Sequence, residues 1–264
     1  MSTAVNLIKF LWTYWKLNLA GAMEFRTSFF MMAGMMFVND FVWIFFWGVF
    51  FNRFKTVNGW ELSDVVLMWA VSAGGFGLMA VLFGNCNRIA NMIATGQLDL
   101  YLAQPKPVLL HLLVSRMSVT AIGDLSFSVV VYALFGDRSA AGIAKFVLGL
   151  FIAACLFLFA NIVFQSLAFY IGNAEGLSMQ LYNGMIALTT YPTDIFRGLA
   201  RLVLFTVIPA GFISYMPIAL FRQIDVVFLL QALGAAFGAA ALAVLFFYRG
   251  LRRYSSGNML TMRQ

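Results

Sequence analysis

Two carboxylates stand where charge is hard to hold. Asp40 falls near the middle of the apolar residues 28–51, and Asp124 lies within residues 112–135, which also contain Arg116. An ionised side chain at the centre of a bilayer costs about 2.5–3.5 kcal/mol even on an insertion scale. Such groups either face a polar path or a subunit interface, or are neutralised by a neighbouring Arg, Asn or Ser. Arg116 sits nearer the end of its segment, where its long stem can snorkel to water. Other chemistry-bearing residues are sparse. His111 is the single histidine, and Cys86 and Cys155 join no cluster with metal-ligand spacing. That pattern offers no metal site and no histidine-based triad. It makes His111 an interface residue and the cysteines packing residues rather than a disulfide. No Gly-Lys-Ser or Gly-Lys-Thr phosphate loop occurs, so any ATP must be bound by another chain. No catalytic residue is expected.

The elements that carry these groups follow from composition. Of 264 residues, 62% are hydrophobic and 10% charged, against about 25% charged in soluble domains. Residues 65–87, 146–174, 202–221 and 226–248 carry no charge, and each reaches the ~20 residues that a helix needs to span a bilayer. Phe, Leu, Met, Ala and Gly dominate without the alternation of barrel strands, so the expected fold is an all-α polytopic membrane protein. One transmembrane domain over 1–264 is predicted, with spans at residues 28–51, 65–87, 112–135, 146–172, 176–190 and 226–248. Gly74, Gly75 and Gly77, and the small residues from Gly234 to Ala241, would let helix backbones approach closely within the chain.

The N-terminus and the region after the fifth span differ from the rest. In residues 1–27, Asn6, Lys9, Thr13 and Lys16 recur on one helical face, while Ile8, Leu11, Trp12, Trp15 and Leu19 cover much of the remainder. That pattern suits a helix lying on the membrane surface, either a passive anchor or a lever beside a partner. No cleavable signal peptide is evident, because Lys9 and Lys16 lie inside a long aromatic-rich segment. Residues 191–221 open with Tyr191-Pro192 and contain Pro209 and Pro217. Each proline removes a helical hydrogen bond, so short re-entrant helices are expected, at the mouth of a pathway. Asp194, Arg197 and Arg201 are spaced to form an ion pair with one positive charge left over, or to touch lipid or substrate. Lys9, Lys16 and Arg26 precede the first span, and Arg249, Arg252, Arg253 and Arg263 follow the last. Both termini are therefore expected in the cytoplasm. Basic termini at anionic lipid account for much of the +7 net charge without nucleic acid.

Between the second and third spans, residues 88–107 form a polar island. Ile89, Ile93, Gln97 and Leu100 keep helical spacing, but Gly96 should break the helix before Pro105 and Pro107 end it. Three elements occur in order: Met23-Glu24-Phe25-Arg26, then Gly96-Gln97-Leu98-Asp99-Leu100-Tyr101-Leu102-Ala103-Gln104-Pro105, then Tyr191-Pro192 through Pro209 and Pro217. Together, over nearly the whole chain, they resemble the membrane subunit of a bacterial type-2 ATP-binding-cassette (ABC) transporter. The resemblance implies a permease in the bacterial cytoplasmic (inner) membrane, paired with a second copy or a homologous permease and driven by two cytoplasmic ATPase subunits. ATP and Mg would be bound by those ATPases, with no cofactor on this chain. Arg88, Gly96, Leu98, Asp99, Tyr101 and Pro105 would belong to the coupling element. Asp40, Asp124, Tyr191, Pro192, Arg197, Pro209 and Pro217 are candidates for the pathway or interface, and the implied direction is export. The alternative is an ion-coupled secondary transporter or channel that uses Asp40 and Asp124.

Overall fold

A chain this apolar must satisfy its backbone internally, and among the described residues it does so with helices throughout. The computed structural model describes residues 3–172, 174–222 and 224–255. Arg263, one of the basic C-terminal residues, lies outside them. The helices are α1 (Thr3–Ala22), α2 (Arg26–Arg53), α3 (Leu62–Phe83), α4 (Ile89–Ala94), α5 (Asp99–Leu102), α6 (Val108–Val114), α7 (Thr120–Phe135), α8 (Ala140–Ser166), α9 (Glu175–Thr189), α10 (Leu199–Thr206), α11 (Ala210–Pro217) and α12 (Val226–Leu251). The end of the bundle that carries α1 is here the proximal end.

Among the described residues, four helical bodies are long and apolar enough to cross a membrane, Val5–Arg53, Leu62–Ala94, Ala140–Phe169 and Val226–Leu251, or five if the bent pair Leu199–Thr206 and Ala210–Arg222 counts as one span. The expected crossing at 112–135 is broken. Helix α6 stops at Val114, and the backbone is irregular up to α7, where Asn85 N–H donates to the Arg116 carbonyl and Ser118 N–H to that of Ala80. Helix α7 is left with 16 residues and α9 with 15, a rise of roughly 22–24 Å against a hydrocarbon core of about 30 Å. By its own length neither spans. Arg116 is exposed in the break, so it needs no buried partner.

Helix α3 is the hub of the packing, lying against α7, α8, α11 and α2. Its glycines explain how. A Cβ on Gly77 would sit 2.7 Å from the Leu125 backbone nitrogen and 2.9 Å from the Ala121 carbonyl, and one on Gly75 would lie 2.5 Å from the Ala153 methyl. Only hydrogen fits there, and it lets the backbones close up. The small residues of α12 divide differently. Ala232, Ala236 and Ala243 are buried as α12 packs on α8, whereas Gly234 and Gly238 have open space around them.

At the far end, Asn58 and Gly59 take positive φ in a tight turn between Val57 and Trp60, a conformation that Asn-Gly favours. The turn leads into α3, which opens with a capping box between Glu61 and Asp64. Asp64 also receives Arg222, with Nε–H donating to Oδ1 over 2.8 Å, which ties the start of α3 to the approach to α12. Pro209 separates α10 from the body Ala210–Arg222, and the two are bent by 94°. Pro217 does not break the path. It ends α11, and the chain continues through a π-helical turn at Ile218–Arg222. Asp194 pairs with Arg201 at 3.4 Å and accepts a hydrogen bond from Trp60 Nε1 at 2.8 Å. Arg197 forms no ion pair with Asp194 among the described residues, because the helical run is interrupted at Phe196–Gly198, where Gly198 takes φ +57°.

Candidate functional site

Helices α2 and α7 run side by side because Gly123 lets them touch: a Cβ there would fall 2.2 Å from the Ala33 carbonyl. That contact brings Asp40 and Asp124 together. Each is only 3% exposed, and the two carboxyls lie within hydrogen-bonding reach of each other. Neither Oδ2 has a donor among the described residues. Both line a cavity of about 380 Å³ at mid-bundle. Its back wall is the middle of α3, from Trp69 through Ser72 and Ala73 to Phe76, with Phe157 of α8 beside it. Its mouth lies between Asn39 and Trp43 of α2 and Asn183 and Ala187 of α9, with Tyr191 at one edge. Trp43 stacks on Trp69 at 5.6 Å, and a hydrogen bond between the Ser72 and Thr189 hydroxyls at 2.8 Å ties α9 to α3. Among the described residues no Lys, Arg or His lines this space. Asp40, Asp124 and Tyr191 are thus brought into one site. Arg197 is exposed elsewhere, Pro192 is buried, and Pro209 lines a separate cleft with α8 and α12.

The second arrangement is at the proximal end. Helix α4 is anchored from below its apolar side: Ile89 and Ile93 are buried, and Ala90 N–H donates to Gln165 Oε1 at 3.0 Å. Asn91 Nδ2 donates to Glu175 Oε2 at 3.1 Å. Gly96, at φ +76°, turns the chain from α4 toward α5, as the glycine's position predicts. Leu98 is fully buried beneath that turn, and Arg88 is half-buried. The Tyr101 hydroxyl hydrogen-bonds the Ser115 hydroxyl at 2.9 Å, and its ring packs edge-on against His111. What remains on the outside is a short apolar tip, with Leu100 67% and Leu102 42% exposed, followed by exposed Pro105 and Pro107. Leu98 and Tyr101 therefore hold the segment in shape, while Leu100 and Leu102 present its surface. Tyr254 lies near this segment: its own burial, and secondly the nearby Asp99 carboxylate, push its hydroxyl up to about 12.

Helix α1 is docked onto this end by a face that its lysine pattern does not reveal. Phe10, Tyr14 and Asn18 recur every four residues. The Tyr14 hydroxyl meets His111 Nε2 at 2.6 Å, Trp15 Nε1 donates to the Leu82 carbonyl at 3.0 Å, and Asn18 Nδ2 donates to that of Val114 at 2.9 Å. Ile8, Trp12 and Leu17 face outward. His111 is 2% exposed and enclosed by Phe10, Tyr14 and Tyr101, so it is an internal joint between α1 and the segment at α5 rather than an outer interface. Burial first, and then Lys106, lower its pKa from the ordinary value. The i, i+4 recurrence of Phe10, Tyr14 and Asn18, each with an aromatic or amide group, is the sequence signal for the joint.

A family model described as ABC-2 family transporter protein matches residues 37–257. That range contains both carboxylates, the α4–α5 segment and the bent α10–α11 pair. Comparison with curated proteins and with solved structures returns no match.

Proposed function

The chain belongs to the ABC-2 family of transporter proteins, and we propose that it is the permease subunit of an ATP-driven exporter. In this reading it works as a dimer, with a second copy or a homologous permease, and is driven by separate cytoplasmic ATPase subunits that hold ATP and Mg. The proximal end faces the cytoplasm, since basic residues flank α1, α2 and the end of α12 there. Helix α1 lies along the membrane surface with Trp12 and Ile8 toward lipid, and the bent α10–α11 pair re-enters from the opposite side. The α4–α5 segment is the coupling element.

The observation that carries this reading is the exposed tip with Leu100 and Leu102 on a segment whose Ile89, Met92, Ile93 and Leu98 are buried. An exposed apolar contact on an anchored base suits a cleft in a soluble partner. ATP binding closes the two ATPases and draws the coupling elements together, and the shift between the two arrangements of the membrane halves is limited by the difference in ATP binding free energy between them. The α1–His111–Tyr101 contacts make α1 a lever attached to that element. The ion-coupled alternative through Asp40 and Asp124 is not favoured, because the family is one of ATP-binding-cassette permeases.

The test is capture. Affinity-tagged full-length chain drawn from its native membrane should bring down, in stoichiometric amount, a polypeptide carrying a Gly-Lys-Ser or Gly-Lys-Thr phosphate loop. Leu100→Asp combined with Leu102→Asp should reduce that capture by about tenfold or more while leaving membrane insertion intact. Consistent absence of such a polypeptide would remove the reading.

A further inference from the structure

Asp40 and Asp124 form an acceptor pair with no Lys, Arg or His beside it among the described residues. The oxygens that face each other are all acceptors, so a proton or a cation must lie between them for the contact to be attractive. No Lys, Arg or His lines the cavity, and each carboxyl has an Oδ2 without a donor among the described residues. Burying such a pair without a partner is unfavourable at mid-membrane, yet Gly123 brings α2 and α7 into the contact that sets the two side by side.

The walls narrow what the partner is. Trp43 and Trp69 stacked on each other, Phe76, Phe157 and Met36 make most of the lining apolar and aromatic, and aromatic faces attract cations. A desolvated metal ion needs several oxygen ligands at close range, and among the described residues no third Asp, Glu, His or Cys joins the two carboxylates. A volume of about 380 Å³ instead falls in the range of sites for drug-sized molecules. The mouth between α2 and α9 is partly exposed, with Trp43 41% accessible and Asn39 and Asn183 on its rim, so a molecule can enter from the side of the bundle.

We propose that this cavity binds an amphiphilic monocation, an onium or ammonium centre carrying an apolar body, with the charge between Asp40 and Asp124 and the body against Trp43, Trp69, Phe76 and Phe157. The proposal rests on the permease reading and names the class of molecule it carries.

Tetraphenylphosphonium and tetraphenylborate are probes of one shape and opposite charge. Binding of each is measured by equilibrium binding to the full-length chain in nanodiscs of zwitterionic lipid. The expected result is saturable binding of the cation at least about tenfold tighter than of the anion. Asp40→Asn with Asp124→Asn should weaken cation binding by about tenfold or more, and Asp124→Glu should retain it. Equal affinity for the two probes, or undiminished cation binding in the double Asn variant, overturns the proposal. If the double variant does not accumulate, Trp43→Ala at the exposed mouth decides: several-fold weaker cation binding supports the site, and unchanged affinity overturns it. Binding is read without the ATPase, so the two readings fail separately. A chain that captures the ATPase but does not discriminate the cation loses the substrate class and keeps the permease assignment. Discrimination without any ATPase does the reverse.

Discussion

His111 shows how much one residue depends on what encloses it. Phe10, Tyr14 and Tyr101 surround it, Lys106 is the cation that acts on it, and both burial and that cation favour its neutral form. A group whose pKa is lowered by folding contributes stability that is complete above its ordinary value, here 6.5, and declines as pH falls below it toward the lowered folded value. Acidification should therefore loosen α1 from the proximal end. Proteolysis of α1 in the full-length chain should accelerate between pH 7.5 and pH 5, and His111→Gln should remove that step. A step that persists in the variant would assign the sensitivity to another group. The lone histidine was visible in the sequence, but its role was not, because Phe10 and Tyr14 are distant from it along the chain. Asp40 and Asp124 were equally visible as misplaced charges. Their pairing needed the α2–α7 contact.

At the scale of elements, glycine and proline were the legible signals. Gly96 ends the α4 turn at positive φ and Pro209 separates α10 from α11, both for reasons local to the residue: one has no Cβ and the other no N–H. The break before α7 was not legible, since residues 112–135 are apolar enough to read as one helix. It is set by Asn85, whose side chain donates to the Leu112 carbonyl at 2.9 Å and to the Ser115 hydroxyl at 2.7 Å while its backbone N–H takes the Arg116 carbonyl. The same cluster supports the α4–α5 segment, the proposed coupling element, through Tyr101. Tyr101→Phe should lower stability by about 1 kcal/mol, read as a fall in melting temperature, and should weaken the coupling of ATP hydrolysis to transport more than it weakens capture of the ATPase. Equal loss of both would make Tyr101 part of the contact surface instead.

For the whole molecule, α3 decides whether the bundle closes. Gly77→Ala would press a methyl against backbone atoms of α7, which cannot swing aside as a side chain can. A loss of roughly 1–3 kcal/mol is expected, seen as reduced accumulation and a lower melting temperature, whereas Gly234→Ala on the open face of α12 should be neutral within about 0.5 kcal/mol. Comparable effects at the two positions would contradict the packing described. From the sequence alone came the membrane class, the apolar segments, the polar island with its glycine break and the proline-broken region near the end. These follow from composition and from properties each residue has wherever it stands: transfer of apolar side chains to lipid, the missing Cβ of glycine, the missing donor of proline. Only the tertiary structure decided that two buried carboxylates face each other in one aromatic cavity, that α1 is bolted to the α4–α5 segment through His111, and that α7 and α9 are too short to span by themselves. Each of these depends on the register in which helices meet, and register is set by close contacts such as Gly123 against Ala33, which no single stretch of sequence contains.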